Sequence, residues 1–221
     1  MSDTNGTRSL PRIGEPAPDF KVQTTHGEIT FSDWQKDSWV ILFSHPADFT
    51  PVCSTELTEF ARRAEDFTKR NTKLIGVSVD SVHSHLAWIQ NLEKITGIRL
   101  PYPLIADTKG DVAALYGMLH PKENATFTVR ALFVIDPKRT VRAIIYYPLS
   151  LGRNVDEVVR VIDALQTAEK HAIATPVNWK PGDKVIVPPP KTVKEVDERL
   201  ALKDEKLDFY LIKRELAKAG K

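Results

Sequence analysis

The stretch Trp39–Phe67, WVILFSHPADFTPVCSTELTEFARRAEDF, reads as a strand, a turn and a helix in immediate succession. Trp39 to His45 is apolar up to Phe43 and bounded by Pro46, as expected for a short buried strand. From Leu57, apolar residues recur at Phe60, Ala61, Ala64 and Phe67, the i, i+3, i+4, i+7, i+10 spacing of an amphipathic helix. Outside this unit, Lys73 to Val79, Pro103 to Ala106, Val129 to Asp136 and Thr140 to Tyr147 read as further strands, and Asp136-Pro137-Lys138-Arg139 turns the last two into an antiparallel hairpin. Leu86, Ile89 and Ile95 mark a second helix. Asn154 is an N-cap for a third, carried by Val155, Val158, Val159, Ile162 and Leu165. The order β-α-β-α-β, then β-β-α, predicts an α/β fold with a mixed sheet covered by helices on both faces.

Five of the fifteen prolines fall between Pro176 and Pro190, a stretch that suits neither helix interior nor central strand. A boundary near 175 therefore divides a main domain, 11–175, from a small C-terminal domain, 176–221. From Lys191 to Lys221, nine basic and seven acidic residues surround Leu207, Tyr210, Leu211 and Leu216. That pattern predicts one or two amphipathic helices, either solvated or covered by a partner. Leu207, Tyr210 and Leu211 at i, i+3, i+4 form a stripe for packing on a neighbouring subunit.

The 221 residues are 42% apolar and 27% charged, enough for a substantial core, and the net charge of +2 excludes a charge-driven binder of nucleic acid or anionic membrane. No apolar run exceeds five residues, far short of the roughly 20 a membrane span needs. Met1 to Leu10 is polar and lacks the apolar stretch of a secretory signal, so the expected location is the cytoplasm. The single cysteine, Cys53, forbids an intramolecular disulfide, a Cys-x-x-Cys pair and a zinc site built on several thiolates.

Chemistry concentrates in His45-Pro46-Ala47-Asp48-Phe49-Thr50-Pro51-Val52-Cys53-Ser54-Thr55-Glu56, at the carboxyl end of a strand, where α/β sheets place reactive groups. Thr50-Pro51 reads as N-cap and first helical position, which puts Cys53 in the first turn. Free N–H groups and the positive end of the helix dipole favour a thiolate there, and Leu57 four residues on sets Cys53 on the inward face. By position alone a lone cysteine is more often a small inert hydrophobe. Arg130, inside the apolar strand Val129-Arg130-Ala131-Leu132-Phe133-Val134-Ile135, tips the balance, because a buried guanidinium requires an anion. A thiolate or Glu56 could supply it. His83-Ser84-His85 precedes Leu86-Ala87-Trp88-Ile89 and is expected to face solvent. Trp34, Trp39, Trp88 and Trp179 are expected in packing roles. No phosphate loop, dinucleotide turn or His-Glu-x-x-His element occurs, so no cofactor and no metal are expected.

Pro46-Ala47-Asp48-Phe49-Thr50-Pro51-Val52-Cys53 resembles the Pro-x-x-x-Thr-x-x-Cys signature of the peroxiredoxins, with His45 and Glu56 flanking it as in the one-cysteine, peroxiredoxin-six-like subgroup. The opening Ile13-Gly14-Glu15-Pro16-Ala17-Pro18-Asp19-Phe20, Val79-Asp80-Ser81, Leu104-Ile105-Ala106-Asp107, Val129-Arg130-Ala131 and Gly152-Arg153-Asn154 are similar to family landmarks, so the resemblance spans nearly the whole chain. It implies a thioredoxin-like fold and a thiol peroxidase acting on hydrogen peroxide and organic hydroperoxides. It further implies a peroxidatic Cys53 activated by Thr50 and Arg130, Pro46 shielding the pocket, and Glu56 and Arg153 ordering the arginine network, with His45 beside the substrate. The product is a sulfenic acid. With no second cysteine, its reduction falls to an external thiol. The resemblance also implies a homodimer whose C-terminal domain reaches across, assembled in some relatives as a decamer of five dimers.

The departures bear on function. Where some archaeal relatives carry resolving cysteines, this chain reads Leu207-Asp208-Phe209-Tyr210-Leu211-Ile212. Some vertebrate relatives add a phospholipase through Gly-x-Ser-x-Gly. Lys36-Asp37-Ser38-Trp39-Val40 lacks those glycines, and Ser32 stands where those relatives have histidine, so a hydrolase built on Ser38 is not expected. The alternative of another class is a redox-linked holdase chaperone with Cys53 as its switch.

Overall fold

The computed structural model describes residues 10–216; nearly all of the polar leader read from Met1 to Leu10, and the last five residues of the tail, lie outside them. The chain forms two compact units, one ending at Val155 and one beginning at Asp156. The proline-rich stretch lies within the second.

The first unit is built on a seven-stranded mixed sheet of order β2-β1-β5-β4-β3-β6-β7. Its strands are β1 (Lys21–Thr24), β2 (Gly27–Thr30), β3 (Trp39–Ser44), β4 (Thr72–Ser78), β5 (Leu104–Ala106), β6 (Arg130–Ile135) and β7 (Val141–Tyr147). β3 lies in the interior of the sheet, parallel to β4 and antiparallel to β6. All six of its residues are buried, which is why its sequence is a continuous apolar run and not an alternating one. Val40 and Leu42 pack with Ile75, Val77 and Phe133 of neighbouring strands, with Phe31 of α1 (Phe31–Gln35), and with Val112 and Ala113 of α5 (Asp111–Leu115). The opposite face carries Phe43, stacked at 4.5 Å on Phe60 of α2 (Pro51–Arg62) and 5.8 Å edge-on to Tyr102. Gly76 on β4 keeps that face close-packed: a Cβ there would lie 2.6 Å from Leu104 and 3.4 Å from the Phe43 ring. Helices therefore cover both faces in a thioredoxin-like arrangement.

Three features depart from the sequence reading. The helix expected through Phe67 breaks at Arg63 into α2 and a short α3 (Ala64–Thr68). The edge hairpin β1–β2, α1 and α5 are additional elements, short and only partly apolar. The second long helix, α4 (Val82–Thr96), buries His85, Trp88 and Leu92, whereas Leu86 and Ile95 are exposed.

The second unit contains α6 (Val155–His171), α7 (Val193–Leu200) and a three-stranded antiparallel sheet of order β8-β10-β9, with β8 (Val185–Ile186), β9 (Glu205–Asp208) and β10 (Leu211–Arg214). Ala164, Trp179 and Val185 form its core, with Ile173 and Leu216 packed against them. The buried Arg199 of α7 donates to the carbonyls of Phe209 (2.8 Å), Val187 (3.3 Å) and Pro188, tying helix, proline stretch and hairpin together. The segment 205–214, expected as helix, is thus a β-hairpin. Leu207 and Tyr210 are exposed and Ile212 is the buried residue of the hairpin, so the Leu207, Tyr210, Leu211 stripe does not exist on one helical face.

Candidate active site

The site sits where the central ladder opens. Register pairing of β3 with β6 ends at Phe43–Leu132, and the buried Ser44 hydroxyl takes over, donating to Val129 O (2.5 Å) and accepting from Ala131 N (2.9 Å). Beyond it the loop 45–50 runs from the strand end into α2. Thr128 Oγ1 holds His45 O at 2.8 Å, and Asp48 N donates to Asp80 at 3.0 Å.

Thr50 is the N-cap of α2 and Pro51 its first residue, as the sequence implied. The Thr50 hydroxyl does not cap, however: it turns back and donates to Ala47 O at 2.8 Å. The first helical hydrogen bond runs from Ser54 N to Thr50 O (3.0 Å), so the Val52 and Cys53 N–H groups have no acceptor within the helix. Cys53 is wholly buried, with Leu57 beneath it and Glu56 one turn away.

Arg130 meets both candidate anions at once. Its Nη1 lies 3.3 Å from Cys53 Sγ and 2.8 Å from Glu56 Oε2, while Nε and Nη2 donate to Leu149 O at 3.0 and 2.7 Å. Glu56 is shared with Arg153, whose Nη1 reaches Oε2 at 2.9 Å and whose backbone N reaches Oε1 at 2.9 Å. Arg153 also donates to Ala131 O at 3.0 Å and to Ser44 O. Burial pulls the Arg153 guanidinium down to about 10, against the opposing pull of Glu56. Two buried cations thus share one carboxylate, leaving one positive charge directed at the sulfur. At Gly152 the loop bearing Leu149 and Arg153 passes close to α2, where a Cβ would lie 3.4 Å from the Val52 side chain.

Thr50, Cys53, Glu56, Arg130 and Arg153 are therefore brought into one bonded or contiguous cluster. Pro46 and His45 lie buried in the adjoining loop. The Leu149 carbonyl, which fixes the Arg130 fork, carries no side-chain signal from which sequence reasoning could have found it. His85, expected at the surface, is instead fully buried and bonded to Asp48, while His83 is exposed. Trp88 lies 5.3 Å from the His45 ring. Among the described residues, no helix is long and apolar enough to cross a membrane.

Residues 13–144 match the model of the AhpC/TSA family, and residues 164–201 match that of the C-terminal domain of 1-Cys peroxiredoxin. A peroxiredoxin of Aquifex aeolicus is 53% identical over 218 residues, covering 94% of this chain and 98% of that one. Among solved structures, a yeast mitochondrial 1-Cys peroxiredoxin, described for its thiol resolving mechanism via glutathione/thioredoxin systems, aligns with a TM-score of 0.84 at 43% identity over 94% of this chain and all of that one. A cysteine-to-serine mutant of peroxiredoxin 6 of Arenicola marina aligns with a TM-score of 0.85 at 37% identity over 94% and 99% of the two chains.

Proposed function

The chain belongs to the AhpC/TSA family as a one-cysteine peroxiredoxin, a thiol-dependent peroxidase, and on that footing we propose that Cys53 is the thiol that reduces hydrogen peroxide and organic hydroperoxides. The observation that carries this assignment is the 3.3 Å contact between Arg130 Nη1 and Cys53 Sγ at the start of α2. The thiolate attacks one peroxide oxygen, an S–O bond forms, the O–O bond breaks, and the leaving alkoxide or hydroxide takes up a proton. Arg130 and the Cys53 N–H stabilise the charge moving onto the departing oxygen. Because the Thr50 proton is committed to Ala47 O, the Thr50 oxygen offers its lone pairs to the hydroperoxide O–H. Glu56 and Arg153 hold the Arg130 fork in place, and Pro46 closes the pocket from the loop side. His45 lies beside the substrate.

Cys53 is the only cysteine in the chain, so its sulfenic acid has no internal resolving partner. A thiol in trans condenses with it, releasing water, and a second thiol cleaves the mixed disulfide. A small thiol such as glutathione, or a thioredoxin-type protein, is the reductant class suggested by the yeast relative. One equivalent of peroxide should add one oxygen to the intact mass, and excess peroxide a second, with no disulfide formed. An obligatory Cys53–Cys53 intermolecular disulfide after the first equivalent would overturn the trans reduction.

The assembly proposed is a homodimer, with residues 176–221 as the dimerisation domain. Exposed Leu207, Phe209 and Tyr210 on the β9–β10 hairpin, with the last two rings 5.6 Å apart, support it by offering one apolar patch to a partner. Sedimentation of the full chain at micromolar concentration should give a dimer or a multiple of it, and a chain ending at Thr175 should give the monomer. A monomeric full chain would sink the proposal.

A further inference from the structure

In the loop that leads into the Cys53 helix, outside the bonded cluster of Cys53, His45 and Asp48 form a buried knot with His85. α4 carries His85 inward, where Nδ1 lies 2.8 and 3.0 Å from the two Asp48 oxygens and Nε2 lies 3.1 Å from Ile105 O. Both ring nitrogens face oxygens that need a proton from them: a backbone carbonyl cannot donate, and neither can an ionised carboxylate. Asp48 is the ionised member. Burial alone would raise its carboxyl, but hydrogen bonds from His45 and His85 override that and hold it well below the usual carboxylate range. Its remaining contacts are also donors: Ser84 Oγ at 2.8 Å and His45 Nε2 at 3.0 Å. Another carboxylate that acts on His45, Asp80, accepts from Asp48 N and from Ser78 Oγ at 2.6 Å, which fixes the loop backbone beside the knot.

These contacts settle the His45 proton. Nε2 must carry it, because it faces an ionised oxygen. A second proton on Nδ1 would point at no acceptor among the described residues, and burial disfavours the charged ring against the pull of Asp48, so Nδ1 is a bare lone pair. That atom is fully buried and has no hydrogen-bond partner among the described residues. The loop that the knot secures ends two residues later at Thr50, the N-cap of the Cys53 helix.

We propose that His85 is a positioning residue for peroxide reduction, acting through Asp48 to anchor loop 45–50 and to fix His45 as the tautomer with a bare Nδ1. It touches neither substrate nor sulfur. The inference rests on Cys53 being the peroxide-reducing thiol and goes beyond it in assigning a role to α4.

The test joins nitrogen-15 NMR of the histidine side chains, on the reduced full chain, to stopped-flow peroxide kinetics. Wild type should show His45 protonated on Nε2 alone. His85→Leu, which preserves volume but donates nothing, should mix the His45 tautomers and lower kcat/KM by about 10- to 100-fold, the scale of a small misplacement of reacting groups. His85→Asn, whose amide can still donate to Asp48, should restore the His45 signals and bring the rate to within about threefold of wild type. A proton on His45 Nδ1 in wild type overturns the inference, whether or not either variant folds. So does a rate loss without a tautomer change, a tautomer change without a rate loss, or Asn behaving as Leu. The three ligand atoms lie within 4.8 Å of one another, and a stoichiometric divalent metal removable by EDTA with a change in the His45 signals would also overturn the proton-bridged arrangement. Cys53→Ser is assayed alongside. Peroxide turnover by that variant refutes the assignment of Cys53 itself, whereas its inertness beside a fully active His85→Leu refutes only the positioning role.

Discussion

Cys53→Ser should reduce neither hydrogen peroxide nor an organic hydroperoxide at a measurable rate, a loss on the order of 10⁴-fold or more, as found when a covalent nucleophile is removed. The chain contains no other thiol, so no second site can rescue turnover. The variant should stay folded. Serine is close to isosteric with cysteine, and the Glu56 carboxylate remains paired with both guanidiniums. What changes is the group facing Arg130 Nη1: a hydroxyl at neutral pH stays neutral and is a poor nucleophile. Stopped-flow peroxide consumption, with circular dichroism to confirm the fold, checks both halves. A folded Cys53→Ser that still consumes peroxide at the wild-type rate would remove the sulfur from the mechanism.

The central sheet and the reactive cluster were legible because both rest on strong local patterns. Trp39 to Phe43 is apolar at every position, which fits a strand buried on both faces, and the structure buries every one of them. Thr50-Pro51 marks a helix start with little ambiguity, and a charged residue inside the run Val129 to Ile135 demands a partner wherever the fold places it. The register that delivers that partner was not legible: Arg130 and Glu56 are 74 residues apart, and no spacing rule links them.

Three misreadings share a cause, which is that periodicity ranks faces by apolar content alone. α4 offers Leu86, Ile89 and Ile95 as one stripe, yet the buried face is His85, Trp88 and Leu92, because an imidazole with two acceptors in reach can be buried where a leucine would take from Asp48 one of its three side-chain partners and leave Ile105 O without one. Leu207, Tyr210 and Leu211 satisfy the helical i, i+3, i+4 template, but ten residues are too few to separate that period from strand alternation around a turn. β1 and β2 were missed because Lys21–Thr24 and Gly27–Thr30 are four-residue, largely exposed strands of the hairpin at the sheet's edge, with little apolar signal.

Arg130→Met should slow peroxide reduction by about 10²- to 10³-fold while leaving the fold intact, the scale of deleting one preorganised donor to developing charge. Methionine fills much of the guanidinium's volume, and Glu56 keeps Arg153 through both Nη1 and the backbone N, so no buried carboxylate is stranded. The Leu149 carbonyl loses two donors, which loosens the loop leading to Gly152 and Arg153. The larger consequence is electrostatic. With Arg130 gone, Glu56 and Arg153 neutralise each other and the surplus positive charge at Cys53 Sγ disappears. Thr50→Val should act in the same direction by removing the oxygen placed to accept the hydroperoxide proton. Arg130→Lys is the discriminating control, because it keeps the charge but not the planar fork that serves Sγ, Glu56 and Leu149 O together. Its rate should fall between wild type and Arg130→Met. If charge alone mattered, Lys would restore the full rate, and if a folded Arg130→Met kept wild-type peroxide kinetics, the 3.3 Å contact would have no part in the reaction.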